Sequence, residues 1–231
     1  MALDLHHLDI FFQVVVFLLA ISVHESAHAW TASRYGDPTA QLLGRVSLNP
    51  IRHIDPVGTI LLPALAMIAH FPVFGWAKPT PVDPRNFKEP VKADIMTSVA
   101  GPVSNFLLTA IGFSVLAGVL AVSGEAREVF RGLLGQPTMA SEPTFVLPVT
   151  VFLFDLILIN VLLGIFNLVP LPPLDGSHVV RHFMSPEVRR VYDMVGMVGL
   201  IVFVFFGGKL LWMLISPVLG ILFGSLLRIH G

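Results

Sequence analysis

Apolar residues in this chain are grouped into long blocks with short polar intervals between them. Four blocks are long and apolar enough to read as membrane-spanning material, at roughly 10–33, 94–122, 146–169 and 191–227. The last exceeds one ordinary span. Gly207, Gly208 and Lys209 interrupt it, so it reads as two helices, with a single long tilted helix as the alternative. A weaker run at 57–72 is short for a span and is broken by Pro63. It leads into Phe74-Gly75-Trp76-Ala77-Lys78-Pro79-Thr80-Pro81-Val82, whose prolines predict an extended stretch. Internal repeats and low-complexity tracts are absent from the sequence. The pattern predicts one membrane-embedded domain over 1–231, with a core at about 10–180 and C-terminal helices at about 191–227. The first block lacks the basic flank of a signal peptide, and its removal would take His24 away, so it reads as a retained helix.

Composition agrees with this. The chain has 231 residues, 55% hydrophobic and only 13% charged, too little polar surface for a soluble domain of that size. A net charge of −1 gives no nucleic-acid-binding surface, and the absence of cysteine excludes disulfides and thiolate metal sites. The bilayer is therefore the expected partner. Basic residues collect in three loops: Arg34, Arg45 and Arg52; Lys78, Arg85, Lys88 and Lys92; and Arg181, Arg189 and Arg190. In the 123–145 loop, Arg127 and Arg131 are offset by Glu125, Glu128 and Glu142. The positive-inside rule then puts the three basic loops in the cytoplasm and the N-terminus outside, in a multi-pass protein of the cell membrane. Both flanks of 57–72 are basic, so 57–82 is expected to enter the membrane and return, as a re-entrant helix or hairpin.

The first block contains His24-Glu25-Ser26-Ala27-His28. On a helix, residues i and i+4 lie one above the other, so both imidazoles can bind one tetrahedral Zn²⁺. Glu25 lies about 100° around the helix, placed to take a proton from a metal-bound water without ligating. An ionisable side chain at a helix centre in lipid costs about 2.5–3.5 kcal/mol, so three in five positions point to function rather than packing. A catalytic zinc usually has three protein ligands. The apolar block at 146–169 ends in Asn167-Leu168-Val169-Pro170-Leu171-Pro172-Pro173-Leu174-Asp175-Gly176, whose prolines end a helix in a stiff exit. Its helix and the histidine helix both run outside to inside under the charge rule, which brings Asp175 level with His24 and His28. His178 competes as the third ligand. Ala100-Gly101-Pro102-Val103-Ser104-Asn105 starts a helix on the same side, and Gly101 with Asn105 suits close packing and an interhelical hydrogen bond as well as a site role. The amide of Asn167 suits either a catalytic donor to a substrate carbonyl or a structural bond. Asp155 and Asn160 lie within a span and are expected to face the bundle, while His53 and Asp55 fit a turn and helix start.

These three motifs, in this order and spacing, resemble the site-2 protease family of intramembrane metalloproteases, over about 10–180. The resemblance implies an all-α polytopic membrane protein. It implies a three-helix catalytic core plus two C-terminal helices, with a re-entrant segment or short β-hairpin between the first two core helices. It further implies one Zn²⁺ per chain on His24, His28 and Asp175, Glu25 as the catalytic base, and regulated cleavage of transmembrane segments of other proteins near the cytoplasmic face. Part of 57–82 would supply an extended element that pairs with substrate. No accessory domain such as PDZ is expected. The rival reading is a non-proteolytic membrane protein of the same fold that binds or transports metal.

Overall fold

The structure, a computed structural model, describes residues 5–61, 65, 76–136 and 145–230. The helices are α1 (Leu5–Arg34), the short α2 (Thr39–Leu42), α3 (Pro90–Val122), α4 (Gly124–Leu133), α5 (Val146–Leu168), α6 (Asp175–Arg181), α7 (Pro186–Phe206) and α8 (Gly208–His230). Among the described residues four segments have the length and hydropathy to cross a membrane: Ile10–Arg34, Pro90–Val122, Val146–Leu168 and Gly208–Ile229. The C-terminal apolar block is two helices, divided at Gly207 as its composition predicts. Its first half, α7, opens with Glu187, Arg189, Arg190 and Asp193, and the apolar remainder is shorter than a span.

Helices α1, α3 and α5 pack mutually, and their polar contacts fix direction. His28 meets Thr97 whereas His24 meets Asn105, so α1 and α3 are antiparallel. Phe106 lies over Gly164, and Leu156 and Ile157 lie over Gly112, so α3 and α5 are antiparallel too. The ends of α1 and α5 that carry His28 and Leu168 therefore share one end of the bundle. The opposite end holds the apolar core. There Val16, Leu116, Leu120, Phe130, Leu156, Ile157, Val161, Leu219, Phe223 and Leu226 join α1, α3, α4, α5 and α8. Lipid tails remove the hydrophobic drive between helices, so this end is held by dispersion and interdigitation. The polar contacts of His24 and His28 with Asn105 and Thr97 lie toward the other end.

The segment between α1 and α3 corrects one expectation. It was expected to form a short β-hairpin or re-entrant element, yet no β-strand occurs among the described residues. Pro56–Leu61 is a π-helical turn, residues 76–83 carry no regular secondary structure, and 62–64 and 66–75 lie outside the described residues. The reason is where the backbone groups go. Pro79 and Pro81 have no N–H to give a ladder. The amides of Trp76, Lys78, Thr80 and Asp83 donate instead to the Gly58 carbonyl, the His53 carbonyl, Glu25 and Asp37. The carbonyls of Lys78 and Pro79 accept from the buried Arg45 guanidinium, which also reaches the Arg52 carbonyl. Tertiary contacts thus use the groups that a strand pairing would need.

Asp37 is the second anchor of this segment. Its fully buried carboxylate accepts from Thr39 N (3.1 Å) and Oγ1 (2.5 Å), Asp83 N (2.7 Å) and Asn86 Nδ2 (2.9 Å). Burial pushes this carboxyl up, but the donors of Thr39, Asn86 and Asp83 outweigh it and leave it below its ordinary value. A lowered folded-state value means that the stability contribution is complete above the ordinary aspartate range and disappears as pH falls through the lowered value. Asp37→Ala should accordingly destabilise the detergent-solubilised protein by about 2–4 kcal/mol at neutral pH, read as a lowered thermal midpoint. The difference between the variant and the parent should narrow in acid.

Candidate metal centre

The helical spacing of His24 and His28 stacks their rings on one face of α1, 4.6 Å apart and edge-to-face at 83°. Both are buried. Their Nε2 atoms face each other at 3.0 Å. Asp175 arrives from the first turn of α6, with Oδ2 3.2 Å from His24 Nε2 and Oδ1 3.4 Å from His28 Nε2. The prolines end α5 and send the chain back across its own last turn. Gly176 is needed there for proximity, not for an unusual turn: its φ is not positive, but a Cβ would collide with the Leu168 carbonyl. Gly176 thus permits the close packing of α6 on the end of α5.

Three ligand atoms of His24, His28 and Asp175 lie within 4.8 Å of one another, a group able to hold a metal ion. The donor chemistry fits a cation. The His28 Nδ1 lies 2.7 Å from the Thr97 carbonyl, which can only accept, so Nδ1 carries a proton and Nε2 is the nitrogen turned inward. That nitrogen faces a carboxylate and a second imidazole nitrogen. Asp175 Oδ2 is buried with no hydrogen-bond donor. Burial pushes the Asp175 carboxyl up, but the facing imidazoles of His28 and His24 pull it further down, so it is anionic. Three ligand atoms converge on one point, a donor set that suits a divalent metal.

Glu25 occupies the position beside this face and is half-buried. Thr80 holds it, donating from N (3.1 Å) and Oγ1 (2.6 Å) to Oε2. His178, the competing ligand, instead donates through Nδ1 to Asp94 Oδ1 at 3.1 Å, and His182 Nε2 meets the other Asp94 oxygen at 2.7 Å. Asn167 turns back on its own helix, donating from Nδ2 to the Leu163 carbonyl at 3.0 Å. Asn105 joins the centre, with Oδ1 2.7 Å from His24 Nδ1. Asp155 and Asn160 are fully buried in the bundle. Sequence reading missed Thr80 and Thr97. Thr97 acts through a backbone carbonyl, which no residue type reveals. Thr80 sits in the proline-rich stretch, where only its place in space links it to Glu25.

Two imidazoles from a membrane-length helix, met by a carboxylate from the short α6 that follows α5, define an intramembrane zinc-metalloprotease type of fold. The chain belongs to Peptidase family M50, which matches residues 12–206. It is 38% identical over 208 residues to YwhC of Bacillus subtilis (strain 168), a protein named provisionally as a zinc metalloprotease, covering 88% of this chain and 85% of YwhC. It is also 27% identical over 190 residues to Rip2 of Mycolicibacterium smegmatis and 26% identical over 199 residues to Rip2 of Mycobacterium tuberculosis (strain H37Rv), both similarly named. Each match covers 80% of this chain and 62% of the Rip2 protein, so the chain spans less than two thirds of those relatives. No solved structure matches it.

Gly101 is the point where α3 touches the centre. A Cβ there would fall 2.6 Å from His24 Nε2 and closer still to His28 Nε2, in the space the ligands enclose. Gly101→Ala is expected to preserve helicity, because alanine favours helix, while lowering zinc affinity by about 10- to 100-fold. Circular dichroism and zinc titration against a chelator check the two halves of this expectation.

Proposed function

We propose that this chain is a zinc endopeptidase that cleaves transmembrane segments of other membrane proteins, with residues 1–231 acting as a single membrane-embedded peptidase domain. The observation that supports it most directly is the meeting of His24, His28 and Asp175 beside Glu25 within membrane-length helices. One Zn²⁺ per chain would be held by His24 Nε2, His28 Nε2 and an Asp175 oxygen. When bound, the metal supplies Lewis acidity, which polarises a carbonyl and eases deprotonation of water. The remaining work falls to the chain. Thr80 engages Glu25 Oε2 and so fixes the carboxylate. Oε1 is left to accept a proton and then return it to the leaving amine. Leu163 engages one N–H of the Asn167 amide, and the other N–H is the one that would reach a substrate carbonyl. A helical substrate must unwind locally, since its carbonyls are already hydrogen-bonded.

The basic loops support an orientation in the cell membrane with the N-terminus outside and the centre toward the cytoplasm. Water would reach the ligands from that side, where His28 and Asp175 lie at the same end of the bundle.

Glu25→Gln separates metal binding from chemistry. The amide keeps the size of the side chain and the hydrogen bonds from Thr80 in part, but cannot accept a proton. Zinc content should remain at the parent level, while cleavage of a helical membrane substrate in proteoliposomes should fall at least about 10²-fold. Undiminished cleavage by this variant would overturn the mechanism.

A further inference from the structure

His24 owes its usefulness to a polar chain that starts two helices away. Its Nδ1 lies 2.7 Å from Asn105 Oδ1, Asn105 Nδ2 donates to Asn160 Oδ1 at 2.8 Å, and Asn160 Nδ2 donates to the Leu156 carbonyl at 2.8 Å. Both asparagines are fully buried, on α3 and α5. An amide side chain can face either way, and what lies around it decides. Here one end of the chain admits a single answer. The Leu156 carbonyl can only accept, so the Asn160 group facing it is the NH₂. The Asn160 oxygen must then face Asn105, which directs the Asn105 NH₂ to Asn160 and its oxygen to His24. His24 Nδ1 must therefore carry the proton, and Nε2 is left bare toward His28 and Asp175. Reversing any link sets donor against donor or acceptor against acceptor, with no exposed surface at either amide to relieve it.

We propose that Asn160 is a positioning residue of the metal centre: acting through Asn105, it fixes the imidazole of His24 in the tautomer that presents Nε2. It touches neither His24 nor Asp175, and its influence comes from a carbonyl of α5. The proposal rests on the reading that His24, His28 and Asp175 bind the metal. His28 reaches the same tautomer through the Thr97 carbonyl directly. The two ligands are thus set by two different helices, and only the His24 arm depends on α5.

The test uses the purified full chain in detergent, with zinc as the probe. In the metal-free parent, ¹⁵N-detected imidazole spectra should show His24 protonated at Nδ1. Asn160→Leu, close in volume, removes the anchor: the His24 signals should become a mixture of tautomers, and zinc affinity should drop about 10- to 100-fold. Asn160→Asp, buried as the neutral acid, keeps both links, its O–H facing Leu156 and its carbonyl facing Asn105. It should hold the parent tautomer and bind zinc within about threefold of the parent, a limit set by its preserved bonding. A parent His24 protonated at Nε2 would overturn the proposal, as would Asn160→Leu with unchanged tautomer and affinity. If the parent shows the Nδ1 proton and the variants shift it as stated, yet none binds zinc, the relay stands and the assigned metal centre falls.

Discussion

Everything in this molecule turns on three ligand atoms that meet at one buried point. His28 turns its Nε2 into that point because the Thr97 carbonyl engages Nδ1. Asp175 is an anion with one oxygen buried and lacking a donor. Helices α1 and α6 bring these groups within 3.4 Å, and α3 leaves room for them by placing Gly101 alongside. A fold that compresses such a set in a low-dielectric interior accepts a substantial electrostatic cost unless a cation neutralises it. The architecture follows from that constraint. One end of the bundle is apolar and interlocked, and the other holds the two imidazoles and Asp175.

Much of the centre was legible in the chain itself. A His–His pair four residues apart is helical geometry written as letters, and its place inside an apolar block made packing an expensive explanation. Asp175 could be found because prolines stop α5 and helix direction follows from loop charge. The division of the C-terminal block at Gly207 was equally visible. What was not legible depends on atoms that residue types do not name. The Thr97 carbonyl orients His28 through its backbone, so any residue at 97 would look the same in sequence. The direction of the Asn105–Asn160 amides depends on which neighbour is a carbonyl. His178, the weaker competitor of Asp175 on sequence, is engaged by Asp94 from α3, a contact that no residue type reveals.

The segment between α1 and α3 shows the limit from the other direction. The basic flanks and the family resemblance suggested a re-entrant segment or short β-hairpin, but a strand is defined by its partner, and here the partners are dispersed. Asp37 and Arg45, both buried, gather the stretch by its amides and carbonyls, while Thr80 attaches it to Glu25. The extended backbone is therefore a strap across the polar end of the bundle. Its contact with the proposed base ties the loop to the chemistry without any β pairing.

The central claim is that Asp175, delivered by a separate helix, completes a metal site begun by two histidines of α1. The most direct measurement is the zinc content of the purified protein by elemental analysis, beside that of Asp175→Ala with its helical content verified. The account predicts one zinc per chain in the parent and loss of most of it in the variant. Equal zinc in both, or a folded parent that takes up none when zinc is supplied, would contradict it.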